Sequence, residues 1–232
     1  DALSRKDNAS GKLRMTWPVD FKDHASSKNF PIDKASQMLT LNFDSGAKFD
    51  GEKDVDYTKY EEGIYVGYRY FDSFGVEVEY PFGFGLSYTT FEMKVDSLEY
   101  AEDEATVTVT VTNTGSAAGK EAVQVYVNPA QGKLGKPARS LCAFKKTSII
   151  PAGKNEKITI SVNMTDVASY DDSGVTGHKS AFVLEAGEYN FYIGNDVRSA
   201  QKVACVNIAE TVVTKQLKQA LAPTQKFTRM KC

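Results

Sequence analysis

One stretch restricts the fold more than any other: from Ala105 to Thr112, apolar and hydroxyl side chains alternate without a break. Ala105, Val107, Val109 and Val111 share one side, and Thr106, Thr108, Thr110 and Thr112 the other. Successive side chains of a β-strand point to opposite faces, so this segment has one face for a core and one for water. A helix would scatter the valines around its axis and crowd the β-branched run against its own turns. Asn113-Thr114-Gly115 then turns the chain, and Val123, Val125 and Val127 form the next strand, ended by Pro129. Leu141 to Thr147 is a further candidate, and Ile158, Ile160 and Val162 follow the turn at Pro151-Ala152-Gly153. Ala181 to Leu184, Tyr189 to Ile193 and Val203 to Ile208 complete the set. About seven to eight short strands between Gly, Pro and Asn turns predict a mainly β chain, with an antiparallel β-sandwich over residues 93–210.

The flanks read differently. In residues 1–56, Leu13, Met15 and Trp17 alternate before Pro18 and predict one strand, followed by a long polar excursion with little periodicity. Residues 61–91 concentrate aromatics and glycines. Ile64, Val66, Tyr68 and Tyr70 alternate with Tyr65, Gly67, Arg69 and Phe71, the pattern of a strand with both faces occupied. Pro81, Gly83 and Gly85 then predict a compact aromatic loop. Residues 1–92 are expected to be the closing part of a domain whose beginning lies outside the chain. After residue 210, Thr211 is placed to cap a helix carrying Val213, Leu217 and Leu221 at four-residue spacing until Pro223 stops it. Residues 211–232 then read as a helix and linker toward a following domain, with a helix folded back on the sandwich as the alternative.

Bulk properties exclude several function classes. A length of 232 residues suffices for a sizeable core without metal or disulfide support. The net charge of -2, from 28 basic and 30 acidic side chains, offers no field for a polyanion, so nucleic acid is a poor partner. No apolar run approaches the length of a membrane span. Cys142, Cys205 and Cys232 are odd in number and widely spaced, which points to neither zinc nor a disulfide framework; the first two read as inert core thiols. His24 and His178 stand apart in polar surroundings and read as surface histidines. Asn8-Ala9-Ser10 and Asn163-Met164-Thr165 match the glycosylation acceptor pattern, which matters only in a secreted eukaryotic setting. Cytoplasmic and secreted locations both stay open.

NASGKLRMTWP at 8–18, EGIYVGYRYFD at 62–72 and PFGFGLSYTTF at 81–91 resemble the end of the α/β sandwich domain of family 3 glycoside hydrolases, the β-glucosidase and β-xylosidase group. VTNTGSAAGKEAVQVYV at 111–127, Pro151-Ala152-Gly153-Lys154 and GEYNFYIG at 187–194 resemble the fibronectin type III-like domain that follows it. The resemblance implies a fibronectin type III-like, immunoglobulin-like β-sandwich preceded by the C-terminal part of an α/β sandwich domain. The tail LKQALAPTQKFTRMKC is similar to the lead-in of the permuted subgroup, where a (β/α)8 barrel follows. Both ends of the chain are then expected to be artificial or processed.

Members are typically retaining glycosidases, which need two carboxyl groups about 5 Å apart. The resemblance implies that neither is present here. The family nucleophile is a barrel Asp in a Ser-Asp-Trp setting, whereas Trp17 follows Met15-Thr16; the acid/base Glu lies upstream of the region matched by 8–18. The remaining carboxylates read as structural, with Glu61 and Glu62 on opposite faces of a strand and Asp171-Asp172 and Asp54-x-Asp56 in turns. Sugar contact is the better expectation. A pyranose offers C–H faces to an aromatic ring and hydroxyls to fixed hydrogen-bonding groups, so Tyr57, Tyr60, Glu62, Tyr68 and Arg69 are the candidates for a substrate rim. The structural alternative gives Tyr68 and Tyr70 to the core and pairs Arg69 with Glu62 or Asp72. The expected function is the non-catalytic portion of a retaining β-glycosidase. Its partners would be a β-linked glucoside or oligosaccharide, the missing α/β sandwich portion and the barrel. A carbohydrate-binding or adhesion module and a structural spacer are the alternatives. No cofactor or metal is implied.

Overall fold

The computed structural model describes residues 3–4, 7–28, 60–220, 222 and 228–232. Tyr57 and Asp54-x-Asp56 lie outside the described residues. In chain order the elements are β1 (Trp17–Pro18), α1 (Tyr68–Ser73), β2 (Val78–Tyr80), β3 (Phe91–Ala101), β4 (Glu104–Asn113), β5 (Ala122–Asn128), β6 (Ser140–Lys146), β7 (Asn155–Asn163), β8 (Ser169–Asp171), β9 (Ala181–Leu184), β10 (Gly187–Gly194), β11 (Gln201–Ile208) and β12 (Val212–Gln216).

The alternating segment is β4, the middle strand of a sheet ordered β3-β4-β7. Its Ala105, Val107, Val109 and Val111 are fully buried. They meet Val123, Val125 and Val127 of β5, Phe191 and Ile193 of β10 and Val206 of β11 in one core. Those strands belong to the facing sheet, ordered β11-β10-β5-β6. The two sheets form the predicted sandwich. On the wet side, Thr110 donates to Asp96 at 2.7 Å, and Lys157 pairs with the same carboxylate at 3.1 Å. A smaller sheet, β12-β9-β8, adjoins the sandwich and sends Leu184 into its core.

β5 departs from the half-buried pattern, because every residue from Ala122 to Val127 is buried. Val123, Val125 and Val127 enter the sandwich core, while Tyr126 joins a second cluster with Val197 and Ala200. Tyr68 of α1 and Phe82 of the aromatic loop pack on that second cluster. The sheet is therefore sealed on its outer face by the segment that precedes the sandwich.

Two elements differ from the sequence expectation. Residues 64–71 are not a strand: Gly67 adopts φ 58°, outside the extended range, and Tyr68–Ser73 wind into a short helix. That winding buries Phe71, three residues after Tyr68, where an alternating strand would have set the two on opposite faces. The predicted helix from Thr211 is instead strand β12, antiparallel to β9. Val212, Val213 and Thr214 are β-branched, and an available strand edge outweighs the four-residue apolar spacing. Thus the chain does fold back on the sandwich, as a strand. Beyond it, the amide of Met230 donates to the Glu61 carbonyl at 2.6 Å, and Arg229 pairs with Asp172 at 2.5 Å.

Smaller corrections concern single residues. Cys205 is exposed, not a core thiol. Cys142 is half-buried, donates to the Val125 carbonyl at 3.1 Å, and has its thiol pushed up to about 12 by burial. His24 is half-buried, its ring 5.5 Å from that of Phe71. Among the described residues no helix is long and apolar enough to cross a membrane.

Candidate functional site at the aromatic junction

The candidate rim residues are built on a turn followed by α1. The amide of Gly63 donates to the Tyr60 carbonyl at 3.2 Å, and that of Tyr65 to the Glu62 carbonyl at 2.9 Å. Tyr60 is left 70% exposed, with a ring large enough to stack on a sugar. Glu62 is half-buried beside it. Tyr68 is committed elsewhere: its ring lies 4.6 Å from Phe82, and its hydroxyl accepts from the Leu141 amide at 2.9 Å. Arg69 is exposed and lines a cavity of about 350 Å³ with Ile64, Tyr170, Asp172 and Arg229. The four described candidates therefore do not converge. Tyr60 and Glu62 share a turn, Arg69 faces a neighbouring cavity, and Tyr68 packs on the sandwich. Asp72 takes Arg198 at 3.0 Å as its partner.

The sequence did not assign this junction role to any of the residues that fix it. Gln124 is buried on the outer face of β5, donates to the carbonyls of Gly83 at 3.3 Å and Asn195 at 2.5 Å, and accepts from the Tyr126 hydroxyl at 2.6 Å. Lys12 pairs with buried Glu121 at 2.8 Å. Asn8 donates to the Ala118 carbonyl at 3.0 Å and accepts from Ser87 and Tyr88, so the carboxamide of the first acceptor pattern is already engaged. A glutamine amid valines was the available signal, but periodicity alone does not say that its face is covered.

Gly83 has φ 86° and lies directly against the Gln124 side chain, where a Cβ would collide with the carboxamide. Gly83→Ala is accordingly expected to cost about 2–4 kcal/mol, from left-handed strain together with displacement of a buried hydrogen-bonding group. Urea unfolding measures it. A change below about 0.5 kcal/mol would mean that the loop yields without disturbing Gln124.

The buried carboxylates Glu121, Asp171 and Glu185 are tied to lysines or backbone amides. Among the described residues, no group of three or more His, Cys, Asp or Glu is placed to hold a metal ion. What the junction offers chemically is an exposed aromatic ring and a carboxylate on one turn, with a guanidinium facing a separate cavity.

Fold and junction together define a fibronectin type III-like sandwich capped on one sheet by the aromatic segment before it, and residues 121–197 match the fibronectin type III-like domain family. Over 95% of its length the chain is 46% identical to a β-glucosidase of Ruminococcus albus, of which it spans 21%. The solved β-glucosidase of Paenibacillus barengoltzii superposes on all of the chain with a TM-score of 0.85 at 42% identity, and the chain spans 24% of it. The family 3 β-glucosidase of Bifidobacterium adolescentis superposes on 95% of the chain with a TM-score of 0.72 at 32% identity, with 28% of its own length covered. The chain belongs to glycoside hydrolase family 3.

Proposed function

We propose that this chain is the non-catalytic portion of a retaining β-glycosidase hydrolysing terminal β-D-glucosides or similar substrates. Residues 1–92 would close an α/β sandwich domain, residues 93–210 form the fibronectin-like scaffold, and residues 211–232 lead toward a barrel in the permuted order. The observation that carries this reading is the sealed outer face of β5: Tyr68 and Phe82 pack on Tyr126 and fix the turn bearing Tyr60 and Glu62 to a rigid sandwich. The similarity to β-glucosidases, spanning nearly the whole chain but only 21% to 28% of those proteins, supports the reading further. Tyr60, Glu62 and Arg69 are proposed to contribute from the rim. Tyr68 would act by holding α1 in place.

The pure chain is expected to leave a nitrophenyl β-glucoside unhydrolysed. A longer polypeptide that also supplies the remaining α/β residues and barrel should hydrolyse it. In that enzyme, Tyr60→Ala or Glu62→Gln should lower kcat/KM by about tenfold, the scale of one lost polar or stacking contact. Turnover by the chain alone would overturn the scaffold reading, whereas unchanged kcat/KM in both variants would overturn the rim alone.

A further inference from the structure

The turn bearing Tyr60 and Glu62 takes one of its hydrogen bonds from the far end of the sequence. Within the turn, the Tyr60 carbonyl accepts from the amide of Gly63 and the Glu62 carbonyl from that of Tyr65. The Glu61 carbonyl between them finds its donor in the amide of Met230, at 2.6 Å. That carbonyl belongs to the peptide joining Glu61 to Glu62, so the bond acts on the backbone that carries the candidate carboxylate. Met230 is held on both sides. Arg229 pairs with Asp172, just after β8, at 2.5 Å, and its Cδ lies 3.9 Å from the point where a Cβ on Gly63 would stand. Two residues beyond Met230, the Cys232 thiol donates at 3.0 Å to the carbonyl of Ser73, the last residue of α1. The Ser73 hydroxyl in turn accepts from the Ala138 amide at 2.8 Å. The tail thus touches the loop after β8, the rim turn and the end of α1.

The turn needs such support. Its inner end is anchored by buried Tyr65, but Tyr60, Glu61, Gly63 and Ile64 are all exposed, and Gly63 sits at φ 55°. A segment with few buried contacts opens at low free energy, so bonds supplied from outside decide how long it stays in place. An exposed ion pair is weak by itself and weaker in salt. Here it holds the residue next to the donor, which keeps the Met230 amide aimed at the Glu61 carbonyl.

We propose that Arg229 is a positioning residue for the rim: with Met230 and Cys232 it clasps the turn at residues 60–65, and Tyr60 and Glu62 hold their places while the tail is docked. The inference rests on the rim reading above, and two measurements separate their fates. In the chain itself, Asp172→Asn should speed hydrogen exchange at the Met230 amide by about three- to fivefold, the scale of one exposed ion pair. Arg229→Ala should move the amide signals of residues 61–65 in a nitrogen-proton correlation spectrum and leave those of β10 unmoved, and Arg229→Lys should return them toward the parent positions. In the longer polypeptide that hydrolyses a nitrophenyl β-glucoside, Arg229→Ala should raise KM about threefold at nearly constant kcat. It should have no further effect once Tyr60→Ala and Glu62→Gln are both in place. Unchanged Met230 exchange in Asp172→Asn would overturn the clasp, as would unmoved signals at residues 61–65 in Arg229→Ala. An Arg229→Ala effect on KM that persists in full without Tyr60 and Glu62 would overturn its positioning role. Unchanged kcat/KM in the Tyr60 and Glu62 variants would overturn the rim and Arg229's role in serving it, while the exchange data still decide whether the tail holds the turn.

Discussion

Exchanging Lys136 for methionine is expected to destabilise the chain by about 3–5 kcal/mol, because it strands a buried carboxylate. Lys136 is only 3% exposed; its ammonium pairs with the carboxylate of Glu185 and donates to the Ala130 carbonyl at 2.5 Å. Glu185, itself 5% exposed, also accepts from the amides of Lys133 at 2.6 Å and Leu134 at 3.2 Å. Burial pushes the Glu185 carboxyl up, but the lysine and the two amides outweigh it and hold it below the ordinary range. With the lysine gone, the two amides must carry the anion alone. A second change, Glu185→Gln, keeps an acceptor for them and removes the charge. The double variant should regain more than half of the lost stability in urea melts. No recovery would mean that packing around residues 129–137 holds this loop, and the ion pair does not.

The second large effect is expected at Asp171, which organises the loop after β8. One carboxylate oxygen accepts from the amides of Ser173, Gly174 and Val175 and from the Ser173 hydroxyl, at 2.6–3.2 Å. The other accepts from the amide and hydroxyl of Thr176 at 2.8 and 2.6 Å. Asp171→Ala leaves these donors unsatisfied and should cost about 2–4 kcal/mol. Burial pushes the carboxyl up, yet the bonds from Thr176, Gly174 and Ser173 prevail and bring it to about 2, against 3.8 for an ordinary aspartate. The folded state therefore favours the ionised form. Its contribution is complete above 3.8 and fades as the pH falls through about 2. The stability gap between the parent chain and Asp171→Ala should narrow over that acid window. A gap independent of pH would assign the loss to something other than the carboxylate's charge.

Much of the sandwich was legible because its strands obey local rules. The valines of β4 alternate with threonines, and Asn113-Thr114-Gly115 supplies the turn. Asp171, read as a turn carboxylate, does cap the backbone that follows it. The failures arose where a distant partner decides the outcome. Nothing local says that β9 leaves an edge for Val212–Gln216, so the four-residue spacing suggested a helix. Alternation from Ile64 to Phe71 suggested a strand, but Gly67 at φ 58° breaks the extended run. At the rim, the candidates were chosen for their chemistry alone. Sequence could not show that Tyr68 is taken up by Phe82 and the Leu141 amide, while Arg69, one residue later, reaches a cavity.

The outer face of β5 bears on any attempt to exchange parts among relatives. A graft beginning at residue 93 would carry Tyr126 and Gln124 into the recipient without Tyr68, Phe82 and Gly83, the groups that cover and bind them. The recipient's own aromatic segment would then have to match a surface it had not been paired with, down to a glycine that leaves room for one carboxamide. The transferable unit thus reaches well before the first strand of the sandwich and includes residues 8–12, whose Asn8 and Lys12 bind Ala118 and Glu121; a chimera respecting that limit keeps both sides of the seam from one parent.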